Sequence, residues 1–149
     1  MRVVLVEPEI PQNTGSVARL CAATETPLHL VGRLGFSLED RYLKRAGLDY
    51  WPYVDLAVHA SWADFAAVRP PGRLLAFSSH GEDSYTRIAF RDDDALVFGG
   101  ETRGLPDALR RELAPLHRIP MSGRGVRSLN LANAVSIVLY EALRQLGRA

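Results

Sequence analysis

Residues 2–25 read Arg2-Val-Val-Leu-Val6, then Glu7-Pro-Glu-Ile-Pro-Gln-Asn-Thr-Gly15, then Ser16-Val-Ala-Arg-Leu-Cys-Ala-Ala-Thr-Glu25. The first five residues form a short, uninterrupted, β-branched apolar run, the pattern of a strand covered on both faces in a parallel sheet. The next nine are rich in turn formers. The last ten carry Val17, Leu20, Cys21 and Thr24 at helical spacing. Asn13 or Thr14 is the expected cap of a helix over Ser16–Glu25. A buried strand, a turn-rich loop and a helix make the opening half of a βαβ unit.

The same alternation runs along the chain. Leu28–Val31 reads as a second strand, followed by a short charged amphipathic stretch near Leu38–Leu48. Val54–Val58 reads as a third strand, and Ser61 caps a helix that Arg69-Pro-Pro-Gly72 ends. Leu74–Phe77 and Ala95–Phe98 are further strands. Pro106 opens a helix through about Leu113, and His117–Pro120 is a sixth short strand. The strongest helix runs from Asn130 to about Leu146, with Leu131, Ala134, Val135, Val138, Leu139 and Leu143 on one wide apolar face. Strands alternating with helices over short links predict an α/β class, a single domain over residues 1–149 whose mostly parallel sheet is flanked by helices. Ligand sites of such sheets collect beyond the carboxyl ends of the strands. The three least ordinary loops all follow strands: Glu7–Gly15, Gly99–Pro106 and Met121–Leu129.

Composition narrows the class. A chain of 149 residues with 47% hydrophobic residues is long enough for a proper core without a disulfide or metal staple. Cys21 is the one cysteine and reads as packing, since no activating neighbour is evident. His29, His59, His80 and His117 are scattered and read as ordinary surface or core residues. No metal-ligand cluster and no membrane span is expected, and the expected address is the cytoplasm. The net charge of +1 averages two unlike parts. Residues 1–101 hold 10 basic and 14 acidic groups, and residues 102–149 hold 8 basic and 3 acidic. Seventeen of the 18 basic residues are arginine, Lys44 being the other, and arginine suits forked phosphate recognition.

Gly99-Gly-Glu-Thr-Arg-Gly-Leu-Pro106 puts three glycines, a carboxylate and an arginine into eight residues. Glycines let backbone amides approach a ligand closely, although a plain strand-to-helix turn also uses them. The segment is neither a G-x-G-x-x-G helix opening nor a Walker loop, so dinucleotide and NTP binding lose their main support. In the first loop, Asn13 and Arg19 could both face one pocket at the helix start, with a cap as the plainer role of Asn13. Ser122-Gly-Arg-Gly-Val-Arg-Ser-Leu-Asn130 brings Arg124, Arg127, Ser128 and Asn130 just ahead of a helix N-terminus that favours anions. There the plainer reading is a Ser128 or Asn130 cap with solvated arginines.

Taken in order, VEPEIPQNTGSVARLCA, FGGETRGLP and IPMSGRGVRSLNLANAVSIVLYEALRQLG closely resemble the SPOUT, or trefoil-knot, RNA methyltransferases. The length and the phrases EPEIPQNTG and RAGLDYW resemble the small tRNA (cytidine/uridine-34) 2′-O-ribose methyltransferases within them. The resemblance implies methyl transfer from S-adenosylmethionine to the ribose 2′-OH of the tRNA wobble nucleotide, and a C-terminal deep trefoil knot. It implies a cofactor pocket around Phe77, Gly99, Gly100, Gly104, Ile119, Met121 and Ser128. It implies a catalytic set of Arg19, Asn13, Glu101 and Asn130, with Arg19, Arg124 and Arg127 toward the RNA and no metal. A guanidinium resists deprotonation, so Arg19 suits electrostatic stabilisation better than proton abstraction. The partners implied are a tRNA anticodon loop and a second copy bound through the last helix near Tyr140. The same transfer on ribosomal RNA, or a catalytically silent knotted RNA-binding protein, are the alternatives.

Overall fold

A computed structural model describes residues 1–39, 41, 43, 45 and 50–149. Seven strands, β1 (Arg2–Val6), β2 (Leu28–Val31), β3 (Leu56–His59), β4 (Leu74–Phe77), β5 (Asp83–Ser84), β6 (Ala95–Phe98) and β7 (His117–Arg118), form one sheet in the order β3-β2-β1-β6-β4-β7-β5. Every pairing is parallel. Helices α1 (Pro11–Ala23), α2 (Trp62–Val68), α3 (Asp107–Glu112) and α4 (Leu131–Gln145) accompany it.

The two faces of the sheet sort by alternation along each strand, since successive side chains point to opposite sides. Val3 and Leu5, Leu28 and Leu30, Leu75 and Phe77, and Leu96 and Phe98 pack with α1 and α4. Val4 and Val6, Val31, Ala76, Ala95 and Val97 pack on the other side with Phe65 of α2 and Leu109 of α3. All five residues of β1 and all four of β6 are buried, which is why their sequences show no polar interruption beyond Arg2. Arg2 resolves its own burial by donating to the Pro70 and Pro71 carbonyls. Fully buried Asp94 accepts from both Arg73 Nε at 2.8 Å and Arg73 Nη2 at 2.7 Å, fixing the entries of β4 and β6 together.

The strand order reverses direction about β1 and β6. The chain leaves β1 toward β2 and β3, then returns to the far side of β1 through β4 and β6. A crevice at such a switch point, beyond the carboxyl ends of the strands, is where this architecture places ligands. Glu7 leaves β1 with φ 50°. That left-handed turn costs a non-glycine residue roughly 1–2 kcal/mol and throws the following loop across the crevice.

Several sequence expectations shift. The first helix begins at Pro11 rather than Ser16, and neither Asn13 nor Thr14 caps it; both are buried inside it. Pro11 fixes a helical φ at the first turn, and the amides of Glu9 and Ile10 are taken by Glu101 from another loop. The third strand starts at Leu56 because Trp51–Tyr53 winds into a 3₁₀ turn that the Val54 amide closes onto the Trp51 carbonyl. Pro106 stands one residue ahead of α3, and β7 stops at Arg118. The two-residue β5 was too short to leave a periodic signal, and it exists by pairing with β7. The expected amphipathic stretch over 38–48 falls on positions that lie largely outside the described residues. His29 and His59, scattered in sequence, meet across β2 and β3 at 3.0 Å between Nδ1 and Nε2, beside Phe65.

Candidate active site

The three unusual loops converge at the carboxyl ends of β1, β6 and β7 around a cavity of ≈ 840 Å³. Phe77 and Phe98, at the ends of β4 and β6, stack with ring centroids 5.0 Å apart and form its apolar floor. The Gly99–Leu105 segment makes one wall, and Ile119, Met121 and Ser128 from the segment after β7 make another. Every residue that the sequence points to for a cofactor pocket lies on this cavity.

Glycine is required at Gly99 by space. A Cβ there would stand 2.2 Å from both the Gly104 carbonyl carbon and the Leu105 nitrogen. Gly104 is required by conformation instead, with φ +65° and open space around it. The Gly104 amide closes the turn onto the Gly100 carbonyl at 2.9 Å. Gly99→Ala is therefore expected to cost about 1–3 kcal/mol of stability, as overpacking against backbone does. Gly104→Ala is expected to cost about 1 kcal/mol, the left-handed penalty alone. Urea titration of the two variants checks the ranking.

A hydrogen-bonded chain ties the three loops together. Asn130 caps α4, its Oδ1 accepting from Ala132 N at 2.9 Å and Asn133 N at 3.3 Å. Its amide Nδ2 donates to Asn13 Oδ1 at 2.9 Å. Asn13 Nδ2 in turn donates to Glu101 Oε1 at 3.1 Å. The Glu101 carboxylate also accepts from Ile10 N at 3.1 Å and Glu9 N at 2.7 Å. Negative charge beside the start of α1 is electrostatically favoured as well as hydrogen-bonded. Glu9 returns the contact, accepting from Thr102 N at 3.1 Å and Arg103 N at 3.3 Å. The Thr102 hydroxyl, with those amides, holds the Glu9 carboxyl below the ordinary carboxylate range.

Asn13, Glu101 and Asn130 are thus one connected unit, and Asn13 and Asn130 reach the cavity wall together with Glu101. Arg19 does not join them. Six residues along a helix at about 100° each carries a side chain well past a full turn, so Arg19 and Asn13 leave α1 in different directions. Arg19 is exposed, away from the cavity wall, and rests on Tyr50. Arg127 lines the cavity and Arg124 lies outside it. Sequence reading missed Glu9, whose role depends on a partner loop 93 residues away. Arg110 and His80 also line the cavity without any sign in the sequence, as does Arg103, seen there only as the arginine of the glycine-rich turn. Cys21 is buried, and desolvation pushes its thiol up to about 12, so it stays protonated and unreactive. Among the described residues no group of three or more His, Cys, Asp and Glu side chains could hold a metal ion. Among them, too, no helix is long and apolar enough to cross a membrane.

Residues 1–140 match the SpoU rRNA methylase family. The chain belongs to that family. A tRNA (cytidine(34)-2′-O)-methyltransferase of Methylovorus glucosotrophus is 50% identical over 145 residues, 96% of this chain and 94% of the relative. A protein of the same name from Burkholderia pseudomallei is 50% identical over 148 residues, covering 97% and 95%. Among solved structures, one described as giving insights into the 2-OH methylation of C/U34 on tRNA superposes with TM-score 0.94 at 53% identity, covering 99% of this chain and 97% of that one. The SpoU methyltransferase AviRb from Streptomyces viridochromogenes, solved with AdoMet, matches with TM-score 0.85 at 28% identity over all of this chain and 61% of its own. This SpoU family member therefore carries a SPOUT methyltransferase fold.

Proposed function

We propose that this SpoU family protein transfers the methyl group of S-adenosylmethionine to the ribose 2′-OH of the wobble nucleotide, cytidine or uridine 34, of tRNA. The observation that supports it most is the convergence of the Gly99–Leu105 turn, the segment after β7 and the Asn130–Asn13–Glu101 chain on one cavity, in a chain half identical to enzymes of that name. The family's knot, formed by the C-terminal segment, is part of the proposal, as is work in the cytoplasm where tRNA is modified.

The cavity suits the cofactor. Its ≈ 840 Å³ lies within the roughly 300–1,000 Å³ range of small-molecule sites. Its wall offers backbone atoms at glycines where a Cβ would not fit, and its floor offers aromatic rings to an adenine. Phe77, Gly99, Gly100, Gly104, Ile119, Met121 and Ser128 would hold it. Bound there, S-adenosylmethionine would supply an electrophilic methyl for the 2′-oxygen, leaving as S-adenosylhomocysteine, with the hydroxyl proton passing to solvent water. The protein's part is positioning and charge. Asn13 and Asn130, locked through Glu101, orient the ribose, and Arg19 stabilises negative charge developing on the oxygen.

Arg103, Arg110 and Arg127 line the cavity. The cofactor carries a sulfonium and an ammonium against one carboxylate, so three guanidiniums are more than it can pair and are well matched to RNA phosphates. Arg124, outside the cavity, extends the same basic surface. Arg103→Ala and Arg127→Ala are each expected to lower the slope of log K against log salt for tRNA binding by about 0.7–0.9. S-adenosylhomocysteine affinity is expected to stay unchanged. Fluorescence titration at several salt concentrations and calorimetry measure the two.

A homodimer through α4 completes the proposal. Ile137 and Tyr140 are 37% and 48% exposed on a helix whose other face is core. Arg19, exposed on α1, which packs on α4, would in such a dimer serve the cavity of the other copy. The deciding experiment incubates the protein with S-adenosylmethionine and unmodified tRNA, then maps 2′-O-methylation by nuclease digestion and mass spectrometry. Methylation at position 34 is expected; methylation of ribosomal RNA alone selects the other substrate, and cofactor binding without transfer to any RNA refutes the enzyme.

A further inference from the structure

Arg19 is held by a residue outside the three cavity loops. Its guanidinium carbon lies 4.4 Å from the centroid of the Tyr50 ring, and its Nη2 donates to Tyr50 Oη at 3.0 Å. The two contacts fix different degrees of freedom. The ring contact holds the guanidinium carbon over the Tyr50 face, and the hydrogen bond fixes the direction of one N–H. One N–H is used, and the remaining donors stay available to an oxyanion or phosphate.

Tyr50 is itself anchored. It leads into the Trp51–Tyr53 turn, whose Tyr53 amide donates back to the Tyr50 carbonyl at 2.9 Å. Trp51 packs against the core on the α1 side of the sheet, and the turn touches α1 directly. A long, exposed arginine on a helix would otherwise sample many rotamers, and ordering it during the reaction would subtract from transition-state stabilisation.

We infer that Tyr50 is a positioning residue of the methyl-transfer reaction, acting by holding the Arg19 guanidinium in its working orientation before RNA arrives. The inference rests on the proposed role of Arg19 at the ribose or its phosphate. It assigns a task to the Tyr50 of the RAGLDYW phrase, which lies 31 residues beyond Arg19 and in no cavity wall.

The test compares Tyr50→Leu, which removes both contacts, with Tyr50→Phe, which keeps the ring and removes the acceptor. Tyr50→Leu is expected to lower kcat about tenfold and Tyr50→Phe about threefold, from the sizes of cation–π and charged hydrogen-bond contributions. The KM for tRNA, the melting temperature and S-adenosylhomocysteine affinity are expected to hold. In an Arg19→Ala background, Tyr50→Leu is expected to add no further loss, the non-additivity of a pair acting as one. An equal loss in both backgrounds overturns the inference, as does a loss of activity matched by losses of melting temperature and cofactor affinity. If Arg19→Ala alone leaves kcat intact, the assignment of Arg19 falls first and the inference falls with it.

Discussion

Replacing Arg19 with alanine is expected to lower kcat for wobble methylation about 10²–10³-fold, the range seen when one oxyanion-stabilising donor is removed. S-adenosylhomocysteine should bind within about twofold of its normal affinity, because Arg19 is absent from the cavity wall. Arg19→Lys is expected to recover little. A lysine ammonium is a compact point charge without the planar fork that lies over Tyr50. A mixing experiment then locates the site that Arg19 serves. Arg19→Ala and Asn130→Ala are each expected to be nearly inactive alone. If Arg19 serves the cavity of the other copy, half of the pairs formed on mixing are mixed dimers. Each has one intact site, so activity returns to about a quarter of normal in a two-fold symmetric assembly. If Arg19 serves its own cavity, no site is intact and mixing restores nothing. Persistence of full kcat in Arg19→Ala would remove this residue from the chemistry.

The sequence motifs located the cavity, because glycines in a strand-to-helix turn and an asparagine ahead of an amphipathic helix are local signals with local causes. Gly99, Gly104 and Asn130 stand where those causes predict. The strands were legible for a similar reason: β1 and β6 are buried on both faces and show it in every residue. What sequence could not show was pairing between distant loops. The start of α1 was misplaced because Pro11 opens it without a side-chain cap, and the loop ahead of it is held by Glu101, which accepts from the Glu9 and Ile10 amides 92 and 91 residues away. Released from capping, Asn13 turns its side chain between Glu101 and Asn130. Glu9 was overlooked since a carboxylate in a proline-rich loop gives no sign of holding the amides of Thr102 and Arg103. The direction of Arg19 followed from the corrected helix start and could not be read before it.

Glu101 is the point where these pairings meet, and its substitution should have the broadest effect. Its two oxygens accept three N–H groups, from Glu9, Ile10 and Asn13. In Glu101→Gln the amide oxygen can replace Oε1 toward Ile10 and Asn13, while the NH₂ then faces the Glu9 N–H at a position that now needs an acceptor. One charge-assisted bond is lost and one part-buried donor is left unpaired, a cost of about 2–3 kcal/mol. Glu101→Ala removes all three bonds. It frees Asn13 from its orienting partner and leaves the Glu9 and Ile10 amides without their acceptor, at about 3–5 kcal/mol. Because the same carboxylate positions both the cavity wall and the Asn13–Asn130 pair, the loss should appear in two readouts together. Glu101→Ala is expected to weaken S-adenosylhomocysteine by more than about tenfold and to lower kcat/KM for tRNA by more than about 10³-fold. Arg19→Ala, in contrast, should spare the cofactor. Calorimetry and single-turnover methylation on both variants separate the cases. If Glu101→Ala keeps normal cofactor affinity and loses only kcat, Glu101 meets the ribose itself and does not act by locking the loops.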